Sequence, residues 1–291
     1  MGEETREKKA SLISVVIIFL MLILITIFVI KKLDAKNDYT QNLSLVNTDS
    51  EEYIANKKLE INSYIDSLNE LYGINVLYGE NTINYANKVN ATVETDLNIV
   101  NNNLKVLFHT LEKYPQSMFK PFKDKEYKLD VILLDKFTNN NLALASKNNL
   151  GEVKLYVSNT DKFERAIHHE LFHIFEYYMA DKDKSVFKDW KNFNPVEFVY
   201  ETNISNLDSK YVYLKSNDEN IKLNESYFVT KYAKTSEKED RAETFAEIMM
   251  LSKVPEYLKN GTNIRKKVDS ITENLSKYLN IKNLYYTKFL I

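Results

Sequence analysis

The chain has 291 residues, with 39 basic and 41 acidic side chains, a formal net charge of -2 and no cysteine. The absence of cysteine excludes disulfides, iron–sulfur clusters, cysteine nucleophiles and thiolate zinc sites. The near-neutral net charge does not indicate a basic face, so we do not expect nucleic acid as a partner. The five widely separated glycines cannot form a nucleotide-binding loop, so we do not expect a nucleotide either.

An uninterrupted apolar segment lies near the amino terminus, at residues 11–30. It contains no charged residue and no proline, and as a helix it would cross the hydrocarbon core of a bilayer, which is about 30 Å thick. A cleaved signal peptide has a shorter apolar run and a small-x-small cleavage site, whereas Lys31 and Lys32 follow this segment directly. We predict a single-pass anchor in the lipid bilayer after a short tail at residues 1–10.

The charges on the two sides of this segment do not determine its orientation. Equal numbers of basic residues precede and follow it closely, so the positive-inside rule gives a tie. A short amino-terminal anchor before a large domain commonly acts as a signal-anchor, and a cysteine-free chain tolerates an oxidising exterior. We therefore favour a cell-membrane protein with its large domain outside the cell; the alternative is an anchored cytoplasmic enzyme.

The remainder of the chain divides into a linker and one folded domain. Residues 31–50 are polar and aperiodic, which is typical of a linker, and residues 51–291 would form the domain. Residues 51–160 alternate helical and β-type apolar patterns, and residues 161–291 are mainly helical in pattern. We predict an α+β fold, in which an α+β lobe precedes a helical lobe. Its expected early elements are helices at 51–71 and 83–114 and strands at 74–78, 127–134 and 153–158.

The residues that indicate chemistry lie at 169–173, where the sequence HELFH matches H-E-x-x-H. Asp161 and Glu164 have the spacing of a capping box, which predicts a helix from about residue 162 to residue 180. His169 and His173 would share one face of this helix and could bind one metal ion. Glu170 lies about 100° round the helix, where it could contact a metal-bound water.

The opposite side of the predicted helix is apolar, with Phe163, Ile167, Leu171, Ile174, Phe175 and Tyr178. This pattern predicts that one face packs into the core and that the histidine face lines a cleft. The alternative is a packed helix whose histidines only form hydrogen bonds. Burying two imidazoles and a glutamate without a metal is unfavourable, so the pattern favours a metal site.

The third ligand of such a site should come from elsewhere in the chain. A catalytic zinc keeps three protein ligands and leaves one position for water, and few histidines remain. Ser236 and Glu239 form a second capping box, which predicts a helix beginning near residue 237. Asp240, Glu243 and Glu247 would lie along one side of it, where a cation would relieve their mutual repulsion. The alternative is a solvated acidic face.

Two segments resemble a known family, the gluzincin metallopeptidases. They are residues 168–178, HHELFHIFEYY, and residues 232–247, which contain YAKTS followed by EDRAETFAE. The closest likeness is to the anthrax lethal factor-like branch, which includes the clostridial Pro-Pro endopeptidases. The likeness extends over roughly residues 153–251 and implies a zincin-like fold, with a small mixed-sheet lobe and a helical lobe that contains the metal site.

The resemblance also implies roles for individual residues. His169, His173 and Glu243 would bind Zn²⁺, Glu170 would act as the general base, and Tyr232 would assist as a phenol. One departure from the family pattern is the eleven-residue separation of Tyr232 from Glu243.

Other polar residues have weaker expected roles. Glu247, and less strongly Asp240, would accept a hydrogen bond from a metal-bound histidine and orient it. Glu176 shares the histidine face and is an alternative ligand. We expect His168 and His109 to be packing residues.

The expected function is that of a membrane-anchored zinc endopeptidase, which hydrolyses peptide bonds of a protein or peptide substrate through a metal-activated water. Residues 153–158 would form an exposed strand to which the substrate adds by β-augmentation. The alternative is a non-catalytic extracytoplasmic binding or scaffold domain with a structural metal site.

Overall fold

The structure, a computed structural model, describes residues 50–203, 213–214 and 225–290. The predicted tail and membrane segment, and the linker up to residue 49, lie outside these ranges. The chain divides into two units, residues 1–56 and 57–291. Within the described ranges, no helix combines the length and the hydrophobicity needed to cross a membrane. These ranges form a mixed α+β fold with a small sheet and several helices, as the sequence predicted.

The helices and strands are numbered here in chain order. The α-helices are α1 (Glu51–Tyr72), α2 (Ile83–Lys88), α3 (Leu97–Leu111), α4 (Lys120–Lys123), α5 (Phe163–Lys182), α6 (Glu237–Met249) and α7 (Asn263–Tyr278). The strands are β1 (Ile74–Leu77), β2 (Ala91–Val93), β3 (Lys128–Phe137), β4 (Ala143–Lys147) and β5 (Glu152–Ser158).

The five strands form one mixed sheet in the order β1-β3-β5-β4, with β2 paired to β3. Strand β3 is parallel to β1 and β5, whereas β4 is antiparallel to β5. Because β5 has a partner on each side, the prediction that residues 153–158 form an exposed edge is wrong. Strand β4, which the sequence patterns did not reveal, occupies that edge.

The central strands β3 and β5 are buried on both faces, and α5 packs on one of these faces. Alternate residues of β3 and β5 contribute to two cores, because successive side chains point to opposite faces. Val131 and Leu155 pack with the helices in the larger core, while Ile132 and Tyr156 pack beside α2 in the smaller one. The apolar face of α5 packs into the larger core, as predicted, and directs the histidine face toward α6.

Two local predictions differ from the structure. The single helix expected at residues 83–114 is wrong, because Asn90 has a positive φ of 54° after α2 and the chain then forms β2. Helix α3 begins only after Asp96, whose side chain accepts a hydrogen bond from the Asn98 amide at 2.8 Å. Asp161 does not cap α5 either, since the N-cap residue is Lys162 and it forms no side-chain cap.

The second predicted capping residue is confirmed. Ser236 Oγ accepts a hydrogen bond from the Glu239 amide at 3.1 Å, and α6 begins at Glu237. The side chain of Glu239 is directed to the histidines of α5. The cap therefore fixes the beginning of a helix whose first turn contributes to the candidate site.

Candidate metal and catalytic site

The candidate site lies between α5 and α6, which pack against each other. His169 and His173 come from one face of α5, and each is only 8% exposed. Glu239 comes from the first turn of α6. Because the three side chains project from two packed helices, their positions depend on the cores that hold those helices.

Three donor atoms converge in this site. The Nε2 atoms of His169 and His173 are 3.2 Å apart, and Glu239 Oε2 lies 3.0 Å from the first and 3.5 Å from the second. In a tetrahedral zinc site with bonds of about 2.0–2.1 Å, neighbouring donor atoms are roughly 3.3 Å apart. The three residues therefore fit a divalent metal in both chemistry and spacing.

The electrostatics of the site also favour a cation. Burial opposes a charge on His169, but hydrogen bonds with Glu239 and Glu243 raise its pKa to about 10. Burial likewise opposes a charge on His173, while Glu176 and Glu239 raise its pKa. Burial opposes the charge of Glu239 as well, but both histidines lower the pKa of its carboxyl group. The carboxylates that raise the pKa values of the two histidines would equally stabilise a bound divalent cation.

Glu243 lies on the other side of the His169 ring. Its Oε1 is 2.8 Å from Nδ1 of His169, and its Oε2 accepts hydrogen bonds from Arg165 and Thr230, both at 2.7 Å. Burial raises the pKa of Glu243, but His169 and Arg165 lower it to about 2.

The structure thus places Glu239, rather than Glu243, beside both Nε2 atoms. The sequence resemblance had assigned the third-ligand position to Glu243. A signal for Glu239 was present in the eleven-residue separation of Tyr232 from Glu243, because Glu239 lies one turn earlier and shortens the separation to seven.

The two other candidate carboxylates of α6, those of Glu247 and Asp240, have different surroundings. Glu247 binds Arg165 Nη1 at 3.1 Å and accepts a hydrogen bond from the Tyr257 hydroxyl at 3.1 Å. It is thereby linked to Glu243 through Arg165.

Asp240 is completely buried in the core beside α7. It accepts hydrogen bonds from Trp190 Nε1, the Tyr200 hydroxyl and Lys267 Nζ, at 3.0, 2.7 and 2.6 Å. These contacts contradict the weaker expectation that Asp240 orients a histidine, because its carboxylate accepts hydrogen bonds from core residues instead.

Glu176 is also held by an arginine. Its Oε1 accepts a hydrogen bond from Nε of Arg241 at 2.9 Å, and its Oε2 lies 3.9 Å from Nδ1 of His173. The alternative role of Glu176 as a ligand does not match this position, because the carboxylate approaches the ring from the side opposite Nε2.

Glu170 lies against the edge strand of the sheet. Its Oε2 accepts a hydrogen bond from the Ala145 amide of β4 at 2.6 Å. Burial raises its pKa, although the neighbouring histidines act in the opposite direction. A carboxylate with a raised pKa beside a metal site is suited to accept and release protons.

Tyr232 lies beside His169 and is partly exposed. Its side chain lies on a short 3₁₀ turn at Tyr232–Lys234, its ring centroid is 6.1 Å from that of His169, and the residue is 44% exposed. Burial and the nearby carboxylates of Glu239 and Glu170 raise its pKa. The phenol therefore keeps its proton at neutral pH and can donate a hydrogen bond.

The two remaining histidines differ from each other. His168 is buried, with Nδ1 2.7 Å from the Tyr114 hydroxyl, as expected for a packing residue. His109 does not pack as expected: its side chain is 70% exposed and pairs with Glu112 at 2.9 Å.

No protein-family model and no curated protein matches the chain. A solved structure from Bacteroides caccae, described as that of a candidate zinc-binding metallo-peptidase, is similar with 19% identity and a TM-score of 0.40. The match covers 83% of this chain and 92% of that one.

Proposed function

We propose that this protein is a zinc-dependent endopeptidase. The convergence of the His169 and His173 Nε2 atoms with Glu239 Oε2 carries the proposal, because two histidines and a glutamate are a donor set of catalytic zinc sites. A bound zinc ion supplies Lewis-acid polarisation of a carbonyl and lowers the pKa of water.

Glu170 is the proposed general base. Its carboxylate takes a proton from the attacking water and later delivers that proton to the leaving nitrogen of the cleaved peptide bond. Burial raises the pKa of this group, which makes it a better base at neutral pH. The hydrogen bond from Ala145 fixes the orientation of the carboxylate relative to β4.

Tyr232 is the proposed donor to the oxyanion. Its raised pKa keeps the phenol protonated, and its partial exposure allows it to reach a bound substrate. A hydrogen bond that forms fully only as negative charge develops on the carbonyl oxygen accelerates the reaction.

Strand β4 is the proposed binding edge for a peptide substrate. The Ala145 amide points away from β5 toward Glu170. Along a strand, the N–H and C=O groups of successive residues point to opposite sides. Those of Ala143 and Lys147 therefore point to the same side as those of Ala145. An extended peptide that pairs with these groups would lie beside Glu170, which supports endopeptidase rather than small-molecule chemistry.

We also propose that the protein is anchored in the cell membrane and that it belongs to the lethal factor-like branch of the gluzincins. The apolar segment at residues 11–30 supports a cell-membrane anchor, with the peptidase domain outside the cell. Membership of the lethal factor-like branch is supported by the sequence resemblance at residues 168–178 and 232–247. Extraction of membranes at alkaline pH and protease accessibility on intact cells would test the anchor and its orientation.

The decisive test of the function is peptide cleavage by the full-length protein. A peptide library should be cut by the wild type, protected by a chelator, and cut again after zinc is restored. Metal binding without any cleavage would favour the alternative, a binding or scaffold domain with a structural metal site.

A further inference from the structure

We infer that Arg165 and Arg241 are positioning residues for the proposed metal-binding histidines, because they hold the carboxylates of Glu243 and Glu176 beside Nδ1 of His169 and of His173. This inference rests on the proposed metal site and adds a mechanism that keeps it assembled. Each arginine belongs to one of the two helices that form the site and binds a glutamate of the other.

The first of these connections begins on α5. Arg165 Nη2 is 2.7 Å from Glu243 Oε2, and the other oxygen of Glu243 is 2.8 Å from Nδ1 of His169. Arg165 also binds Glu247, one turn further along α6, at 3.1 Å. The guanidinium of Arg165 therefore binds carboxylates from two successive turns of α6, and one of them, that of Glu243, contacts His169.

The second connection runs in the opposite direction. Arg241, on α6, donates from Nε to Glu176 Oε1 on α5, and Glu176 Oε2 faces Nδ1 of His173 at 3.9 Å. The guanidinium carbon of Arg241 lies 4.9 Å from the ring centroid of Phe187 and 5.6 Å from that of Trp190. Cation–π contacts of this kind hold the planar group in place.

The two connections together constrain how α5 and α6 lie against each other. Glu243, Glu176 and Arg241 are all buried, and charge-assisted hydrogen bonds are strong and directional in such surroundings. Glu239 lies on the same helix as Glu243 and Arg241, so the same constraints place its carboxylate beside both Nε2 atoms. The arginines thus act on the metal only through other residues.

Arginine is better suited than lysine to this role. Its planar guanidinium can bind two acceptors at fixed angles, as Arg165 does with Glu243 and Glu247. A lysine at either position would keep the charge but lose this directional binding. A conservative lysine variant therefore separates the effect of charge from that of geometry.

The test measures zinc affinity and the visible spectrum of the Co²⁺-loaded full-length protein, using Arg165→Met, Arg165→Lys, Arg241→Met and Arg241→Lys. We expect each methionine variant to bind zinc about 10- to 100-fold more weakly, since residues that orient metal ligands typically have effects of this size. Each lysine variant should recover part of the loss. The Co²⁺ spectrum should change in intensity or position, because it reports ligand geometry.

Arg265→Met is the matched control, because Arg265 pairs with Asp269 on α7. Folding is checked by circular dichroism. If the buried Arg241 variants do not fold, the two single variants Arg165→Met and Glu176→Gln decide the question. Unchanged zinc affinity and an unchanged spectrum in folded Arg165→Met and in Glu176→Gln would overturn the inference. A wild type that binds no zinc would instead overturn the proposed function on which it rests.

Discussion

Nδ1 of His169 lies 2.8 Å from Oε1 of Glu243, whereas Nε2 of the same ring lies 3.0 Å from Oε2 of Glu239. The two carboxylates are one helical turn apart on α6 and therefore reach opposite sides of one imidazole. In the proposed site one of them binds the metal together with the ring, while the other holds the ring in place. The roles of the two glutamates should be separable by substitution.

Glu170→Gln should retain zinc and lose hydrolysis. Glutamine has nearly the same shape but cannot accept the proton of the attacking water, so we expect kcat to fall by about 10²- to 10⁴-fold. Zinc content and cleavage of a fluorogenic peptide would be measured on the same preparation. Wild-type turnover by the zinc-loaded variant would exclude Glu170 as the base.

Tyr232→Phe should reduce kcat with little change in zinc affinity. Removal of one oxyanion donor typically lowers kcat by about 10²- to 10³-fold, and KM should change much less. Tyr85→Phe is a suitable control because Tyr85 packs against the smaller core on the other face of the sheet. A variant of Tyr232 that keeps full kcat would remove this residue from the mechanism.

Glu60→Gln should lower the free energy of unfolding near neutral pH but not in strong acid. Burial opposes the charge of Glu60, yet hydrogen bonds with Lys105, Asn101 and Lys57 lower its pKa from 4.5 to about 2. The unfolded state then binds the extra proton, so the stabilisation is complete above pH 4.5 and disappears as the pH falls toward 2.

Because the Glu60 side chain is 38% exposed, solvent screening limits the expected loss to about 1 kcal/mol. Urea unfolding of the wild type and the variant at several pH values would measure it. Glu70→Gln, at an exposed position of the same helix, is the control. A difference between wild type and Glu60→Gln that does not depend on pH would contradict the linkage.

Removal of the metal should lower the melting temperature without unfolding the domain. A ligand at about 1,000 times its Kd stabilises a protein by about 4 kcal/mol, but the two cores are formed by apolar side chains and not by the three donor residues. Thermal unfolding with and without a chelator, together with far-ultraviolet circular dichroism, would measure the change. Complete unfolding on chelation would indicate a structural metal instead.

The sequence predicted the two helices of the site because their signals are local. H-E-x-x-H spacing places His169 and His173 on one face, and Ser236 marks the beginning of α6. The choice between Glu239 and Glu243 is not local. It depends on how far α6 is shifted along α5, and one turn of about 5.4 Å exchanges the two residues.

The edge of the sheet was unpredictable for a similar reason. Strand β4 has only five residues, ALASK, and few of them favour a strand. Its extended conformation is stabilised by pairing with β5, which a local sequence pattern does not reveal. The predicted long helix at residues 83–114 failed because Asn90 and Asp96 act as a stop and a start within an otherwise helical pattern.

The most direct test of the central claim is the zinc content of the full-length wild type, Glu239→Gln and Glu243→Gln, measured by elemental analysis after dialysis against a weak chelator. The account predicts about one zinc per chain in the wild type, retention with an affinity reduced about 10- to 100-fold in Glu243→Gln, and loss in Glu239→Gln. Full zinc content in Glu239→Gln, or none in the wild type, would contradict it.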